Sequence, residues 1–413
     1  MALEGRIEDV DLLSKDIHAH MYEFYDRLHD ERPVYKMPTT GIYMLTRYDD
    51  VRAALGNPEV FSNAVPFGPL QGKRAQIYLD ELAKEGWPRL MVLQATDRPE
   101  HERYRKHLDR VFNAKRVQEL ALRIQEVADF AVDQFIDRGE CEFIKDFTIP
   151  FPSIVVSEQL GFDSTEIEMF KAWSDNLALL NRGIMTDDEM RAAAKVEAEM
   201  QHHIMRIAKD RRKNPRNDFV SRLLEEDPDN APLTDAEFLS VMAVLVAGGY
   251  GTVTNAMANA LYLLLTHPDQ MAKMRANPDL IRNFVEEALR VETSVLHILR
   301  ITKRDVEIRG TAIPKGSFVS MRFSAANHDA NKFPCPHMFD VERPGASAHL
   351  SFGSGPHICP GRVLARQEMA SGFSTILRRM SRIEFGRPLD DPPFEPSFNH
   401  RTLKELPIRF TKA

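Results

Sequence analysis

Apolar side chains recur at helical spacing along most of the chain. That spacing predicts helices over residues 16–30, 100–112, 115–135, 165–180, 187–211, 281–291 and 362–380. Short apolar runs predict strands over 41–45, with a helix from Asp49 onward, over parts of 298–321, and over 406–410. Turns at Arg309-Gly310 and Pro314-Lys315-Gly316 divide the middle set. No residue from 238 to 268 is charged, and the preceding Thr234-Asp235-Ala236-Glu237 has the form of a capping box, which opens a water-soluble helix. An uncharged helix in such a chain is expected to be buried on all sides, at the centre of a large helical core; a membrane span is the weaker alternative. Residues 62–97 hold Pro66, Gly68, Pro69, Gly72, Gly86 and Pro88, so an irregular loop, functional or mobile, is expected there. The expected fold class is mainly α with a minor β part. With no Gly/Ser linker, repeat or low-complexity run, residues 1–413 are expected to form one domain.

Composition removes several function classes. Hydrophobic residues make up 43% and charged residues 28%, which excludes a disordered chain and a collagen-like repeat. The net charge of −7 and the absence of a Lys/Arg run disfavour nucleic acid as a partner. Cys141, Cys335 and Cys359 are odd in number, far apart and outside any CxxC pair, so neither a disulfide framework nor a structural zinc site is expected. The first residues have no basic n-region or apolar h-region, and a reducing cytoplasm is the expected compartment.

Phe352-Gly353-Ser354-Gly355-Pro356-His357-Ile358-Cys359-Pro360-Gly361 is a Gly-punctuated loop leading into a helix. A cysteine near a helix N-terminus is favoured as thiolate, which is either a nucleophile or a soft metal ligand. A lone cysteine is otherwise most often a small buried apolar residue. The loop resembles the haem-binding signature of the cytochrome P-450 family, F-x-x-G-x-[H/R]-x-C-x-G, at Phe352, Gly355, His357, Cys359 and Gly361. The resemblance implies haem b (iron protoporphyrin IX) as cofactor and Cys359 as the iron ligand. It also implies that Phe352 packs on the ligand side and His357 contacts a propionate. Thiolate ligation is what favours O–O cleavage in that family.

Further segments extend the resemblance over nearly the whole chain. Glu287-Ala288-Leu289-Arg290 with Arg343 is similar to the family's Glu-Arg-Arg scaffold, and i, i+3 spacing lets the first pair meet. Asp97-Arg98-Pro99-Glu100-His101-Glu102-Arg103-Tyr104-Arg105 is similar to the stretch that supplies two propionate contacts, here His101 and Arg105, with Arg98 where the family has proline. Arg300 matches the third such position. Ala247-Gly248-Gly249-Tyr250-Gly251-Thr252 resembles the oxygen-activating stretch of the central helix: Gly248 and Gly249 would lie against the haem and Thr252 would be the catalytic hydroxyl. Gly251 stands where the family has an acid, which leaves water, a neighbouring side chain or the substrate to deliver protons.

By family position the substrate would meet Val244, Ala247, Leu296, Ile298 and Phe398, a mostly apolar set, with His297 and the Lys73-Arg74 pair as polar handles. Arg103, Lys106 and Arg110 share a helix face and, with Arg362, are expected to help dock an acidic ferredoxin. The implied activity is dioxygen-dependent oxidation of a hydrophobic small molecule, with electrons from a ferredoxin-type donor and no membrane partner. Two alternatives stay open: a peroxide-driven or rearranging haem enzyme, raised by Gly251, and a haem-containing sensor without turnover.

Overall fold

The computed structural model describes Ile7 and residues 20–65, 74–180, 185–391 and 393–413. The chain opens with α1 (Met21–Glu31), β1 (Val34–Lys36), β2 (Tyr43–Leu45), α2 (Tyr48–Leu55) and β3 (Phe61–Ser62). Helices α3 (Arg74–Leu82), α4 (Glu100–Val111) and α5 (Ala114–Asp133) follow, then β4 (Glu140–Glu142) and a π-helical turn at Ile144–Thr148. A helical stretch comprises α6 (Pro150–Gln159), α7 (Ile167–Leu180), α8 (Asp187–Lys213), α9 (Phe219–Leu224), α10 (Asp235–Gly249), α11 (Gly251–Thr266), α12 (Pro268–Ala276) and α13 (Ile281–Val291). The chain closes through β5 (His297–Thr302), β6 (Val306–Ile308), β7 (Thr311–Ile313), β8 (Phe318–Arg322), α14 (Phe323–Ala326), α15 (Arg362–Arg379), β9 (Met380–Phe385) and β10 (Pro407–Lys412). The mainly helical class with a minor β part is thus observed.

Two compact units divide this chain. The first takes the described residues of Met1–Asn63, Ala121–Ile149 and Thr252–Ala413. Its larger sheet has the order β1-β2-β8-β5-β3, with β2 parallel to β8 (Met44 opposite Ser320) and β5 antiparallel to β8 (Arg300 opposite Val319). Leu45, Val51, Val319, Met321, Phe323 and Leu350 form a buried cluster beneath it. A smaller sheet has the order β4-β10-β9, and β6-β7 is a hairpin. Glu287 and Arg290 are fully buried on α13: Arg290 grips both Glu287 oxygens at 2.7 and 2.9 Å, and Arg343 donates to Oε1 at 2.8 Å. The remaining guanidinium hydrogens go to the carbonyls of Asn327, Pro334, Cys335, Pro336 and Met338. Two cations on one buried carboxylate are tolerable because every donor has an acceptor.

The second unit takes the described residues of Ala64–Leu120 and Pro150–Gly251. Thr234 and Glu237 form the expected capping box at the start of α10, and Thr186 with Glu189 does the same for α8. Three of the differences from the sequence expectation have a clear physical reason. Helix α3 lies in the region expected to be irregular: Tyr78 and Leu82, one turn apart, are buried, and the Tyr78 hydroxyl donates to Glu197 of α8. The surrounding prolines and glycines hide this short amphipathic segment from a windowed pattern. Helix α6, absent from the expectation, is buried along nearly its whole length, so it carries no amphipathic stripe. The uncharged stretch is not one helix but two, parted at Tyr250 between Gly249 and Gly251. By length and composition 235–266 could cross a membrane, but 56% of its most apolar window is buried inside the protein.

Candidate active site

The cysteine loop hangs from the first unit. Gly353 and Gly355 take φ of +71° and +70°, a region costly for L side chains. At Gly355 a Cβ would also lie 2.6 Å from the Leu55 carbonyl oxygen, so both backbone and space demand glycine. The Cys359 amide donates to the Phe352 carbonyl at 2.9 Å, closing the loop, and Arg362 returns to the Cys359 carbonyl at 3.1 Å. Helix α15 begins three residues after Cys359, so its unsatisfied N–H groups and dipole favour a negative sulfur. Cys359 is half-buried, as are nearly all residues from Ser351 to Gly361. The other two cysteines differ: Cys141 is buried and its thiol pushed well above its ordinary pKa by desolvation, while Cys335 is exposed.

The structure brings Phe352, His357 and Cys359 together in that loop, with Arg300 buried on β5 of the same unit, its Nη1 donating to the Leu299 carbonyl at 2.7 Å. In the second unit His101 and Arg105 stand one turn apart on α4. Burial, then the Arg105 cation, holds the His101 pKa below its ordinary value, so this imidazole is a neutral donor at pH 7. Arg105 Nε is 2.9 Å from Asp109.

Helix α10 does not have the burial expected on every side. Phe238 to Ala243 and Leu245 to Val246 are buried, yet Gly248 is exposed and Val244, Ala247 and Gly249 are partly accessible. A Cβ at Gly248 or Gly251 would meet nothing within 4 Å, whereas one at Gly249 would lie 2.8 Å from Val156 Cγ1. The half-buried thiol loop, with its cysteine amide anchored and a helix N-terminus three residues on, supplies the donor that a thiolate-ligated haem requires. Thr252 is half-buried at the start of α11.

The break at Tyr250 is held by α7. Ser174 donates to the Val246 carbonyl at 3.0 Å, and the Tyr250 hydroxyl donates to Asp175 at 3.0 Å. Burial and the Asp175 charge push the Tyr250 phenol well above its ordinary pKa. Thr254 donates to the Thr148 carbonyl at 2.7 Å. Both groups are committed to structure.

Other expected residues fare differently. Leu296 is wholly buried in the cluster of Met21, Phe24, Tyr25 and Met44, so it offers no surface to a ligand. Ile298 and Phe398 stay partly accessible at the edges of the two clusters. His297 packs edge-on against Phe398 with centroids 4.4 Å apart and shares a 2.8 Å hydrogen bond with Asn399. Lys73 and the Arg74 side chain lie outside the described residues. Of the basic face expected to dock a ferredoxin, Arg103 is bound to Glu237, and Arg110 sits 3.5 Å from Asp227 and donates to the Glu225 carbonyl. Those two cations serve packing within the unit, and only Lys106 of the three is exposed. A further network on the loop has no signature in the sequence. There Glu286, beside Glu287, binds Arg366 and His349 from 80 and 63 residues away.

The family model described as Cytochrome P450 matches residues 11–398. The chain is 32% identical to the cytochrome P450 monooxygenase PikC of Streptomyces venezuelae, over 98% of this chain and 94% of that one. It is 30% identical to the 6-deoxyerythronolide B hydroxylase of Saccharopolyspora erythraea, over 97% and 98%. Among solved structures it resembles cytochrome P450 CYP109Q5 from Chondromyces apiculatus, with a TM-score of 0.86, 29% identity and coverage of 99% and 100%.

Proposed function

The chain belongs to the cytochrome P450 family and is a haem-dependent monooxygenase, and from that premise we propose that Cys359 is its iron ligand and that its substrate is a hydrophobic small organic molecule. The haem, when bound, supplies the chemistry that puts one atom of dioxygen into the substrate and releases the other as water. Cys359 donates its thiolate to that site, kept anionic by the start of α15 and kept in place by the Phe352 carbonyl. Phe352 would pack beside the sulfur, Arg105 and Arg300 would offer cations, and His101 and His357 would offer N–H groups, to the carboxylates of the bound haem. Gly248 carries no side chain that would block the macrocycle face, whereas a Cβ at Gly249 would meet Val156 instead.

Thr252 holds and passes the proton. No carboxylate stands at 251, and Tyr250 and Thr254 already donate to Asp175 and Thr148. Water or the substrate therefore brings protons to Thr252. Val244, Ala247, Ile298 and Phe398 present apolar surface to the substrate. Electrons come from a ferredoxin-type donor in the cytoplasm; of the cations expected to dock it, Arg103 and Arg110 are already bound within their own unit.

The Cys359 loop is the observation that carries this reading. Its test is the dithionite-reduced protein under carbon monoxide. Wild type gives a Soret band near ~450 nm, and Cys359→Ser loses it; no haem band in wild type overturns the reading. Product formed with a surrogate ferredoxin and reductase supports monooxygenation. A second reading rests on Gly251: peroxide-driven turnover, with NADH consumed into peroxide, favours it over the donor-driven reaction. Ligand-induced spin shifts without any product would instead indicate a sensor.

A further inference from the structure

Phe352 is held from two directions. Its carbonyl accepts the Cys359 amide at 2.9 Å, and the Arg366 guanidinium lies over its ring, 4.6 Å from the centroid. Arg366 comes from α15 and meets Glu286 of α13 in a two-point pair, Nε to Oε1 at 2.6 Å and Nη2 to Oε2 at 2.8 Å. The Glu286 Oε2 also faces His349 Nε2 at 3.2 Å. The Ser351 amide donates to His349 Nδ1 at 3.1 Å, so the proton of this buried imidazole sits on Nε2 and points at Glu286. Adjacent acids on α13 thus have separate tasks: Glu287 turns into the Arg290–Arg343 scaffold, and Glu286 turns to the cysteine loop.

We propose that Glu286 and Arg366 are positioning residues that set the electrostatic field at the Cys359 thiolate through the Phe352 ring. This rests on Cys359 being the iron ligand. The guanidinium sets its charge on the Phe352 ring, and the Phe352 carbonyl holds the Cys359 amide. The carboxylate balances that cation, and the fork geometry fixes its plane against the ring. His349 holds the carboxylate and adds no charge. The pair therefore acts as a dipole whose halves pull the one-electron reduction of the site in opposite directions.

The test is the midpoint potential of the haem-loaded protein by spectroelectrochemistry, recorded with its carbon monoxide spectrum. Arg366→Met removes the cation and leaves Glu286, so the potential falls. Glu286→Gln leaves the cation unbalanced, so the potential rises. The double variant returns towards wild type, and Arg366→Lys, which keeps the charge without the fork, stays near it. All four keep the band near ~450 nm. Shifts of the same sign in the two single variants, or none, overturn the proposal. So does loss of the band in Arg366→Lys, which would assign the network to loop integrity alone. A wild type without the band removes the Cys359 reading itself, and is recognised before any variant is compared.

Discussion

Alanine in place of Gly249 destabilises the protein, and the same change at Gly251 stabilises it. A Cβ at 249 would sit 2.8 Å from Val156 Cγ1, against an ordinary carbon–carbon contact of about 3.5–4.0 Å. Val156 is β-branched and buried on α6, so the missing distance must come from a stiff χ1 or from moving a packed helix. Overpacking of this kind costs about 1–3 kcal/mol, offset by about 1 kcal/mol of helix propensity. The net is a loss of about 1 kcal/mol. At Gly251 nothing lies within 4 Å and φ is not positive, so the unfolded-chain entropy removed by alanine yields a gain of about 0.4–1 kcal/mol. The two variants should differ by about 2 kcal/mol. Urea unfolding followed by far-ultraviolet circular dichroism, at one temperature and with common slopes, reads that gap as separated midpoints. A Gly249→Ala protein as stable as wild type, or a Gly251→Ala protein clearly weaker than it, would refute the assignment of 249 to packing and 251 to open space.

A Cβ at Gly251 meets nothing within 4 Å, and Gly251→Glu would place a carboxylate beside Thr252. It should raise product formed per NADH with a surrogate donor, and unchanged coupling would mean that the acid is not what limits proton delivery. Arg290→Met leaves Glu287 buried against Arg343 alone and should cost about 3–5 kcal/mol in urea unfolding; a loss below about 1 kcal/mol contradicts the scaffold role. His297 is buried, and desolvation first, then Arg322, lowers its pKa to about 3. Because that lies below the unfolded value, unfolding takes up a proton in this range. Its contribution is whole above about pH 6.5 and is lost as pH falls towards about 3, at up to about 1.4 kcal/mol per pH unit. His297→Asn should flatten that slope in urea midpoints, and an unchanged slope rules this histidine out as a source.

Much of the site is legible along the chain because its parts are local. The cysteine loop places its thiol, its glycines and the next helix within about a dozen residues, and backbone rules there are unforgiving: Gly355 satisfies a positive φ and a close approach to Leu55 at once. Amphipathic helices such as α4 and α13 declare their buried faces by spacing. Helices without a stripe, such as α6, or crowded by proline and glycine, such as α3, do not. The cap at Thr234 is visible in four residues, whereas the break at Tyr250 needs Ser174 and Asp175 from another helix.

The sequence by itself determined the family, the thiolate loop, the Glu287–Arg290 pair and the helical character, since each follows from short-range geometry or a rare residue pattern. Only the tertiary structure decided what the charges and small residues do. It set Arg103 and Arg110 against Glu237, Asp227 and the Glu225 carbonyl, binding them within their own unit. It buried Leu296 in the core, joined Glu286 to Arg366 across 80 residues, and set Gly249 against Val156 while leaving open space at Gly248 and Gly251. A guanidinium has the same sequence signature whether it meets a carboxylate or water, and a glycine the same signature beside a valine or a void. Packing chooses the partner, and the function of such residues lies in that choice.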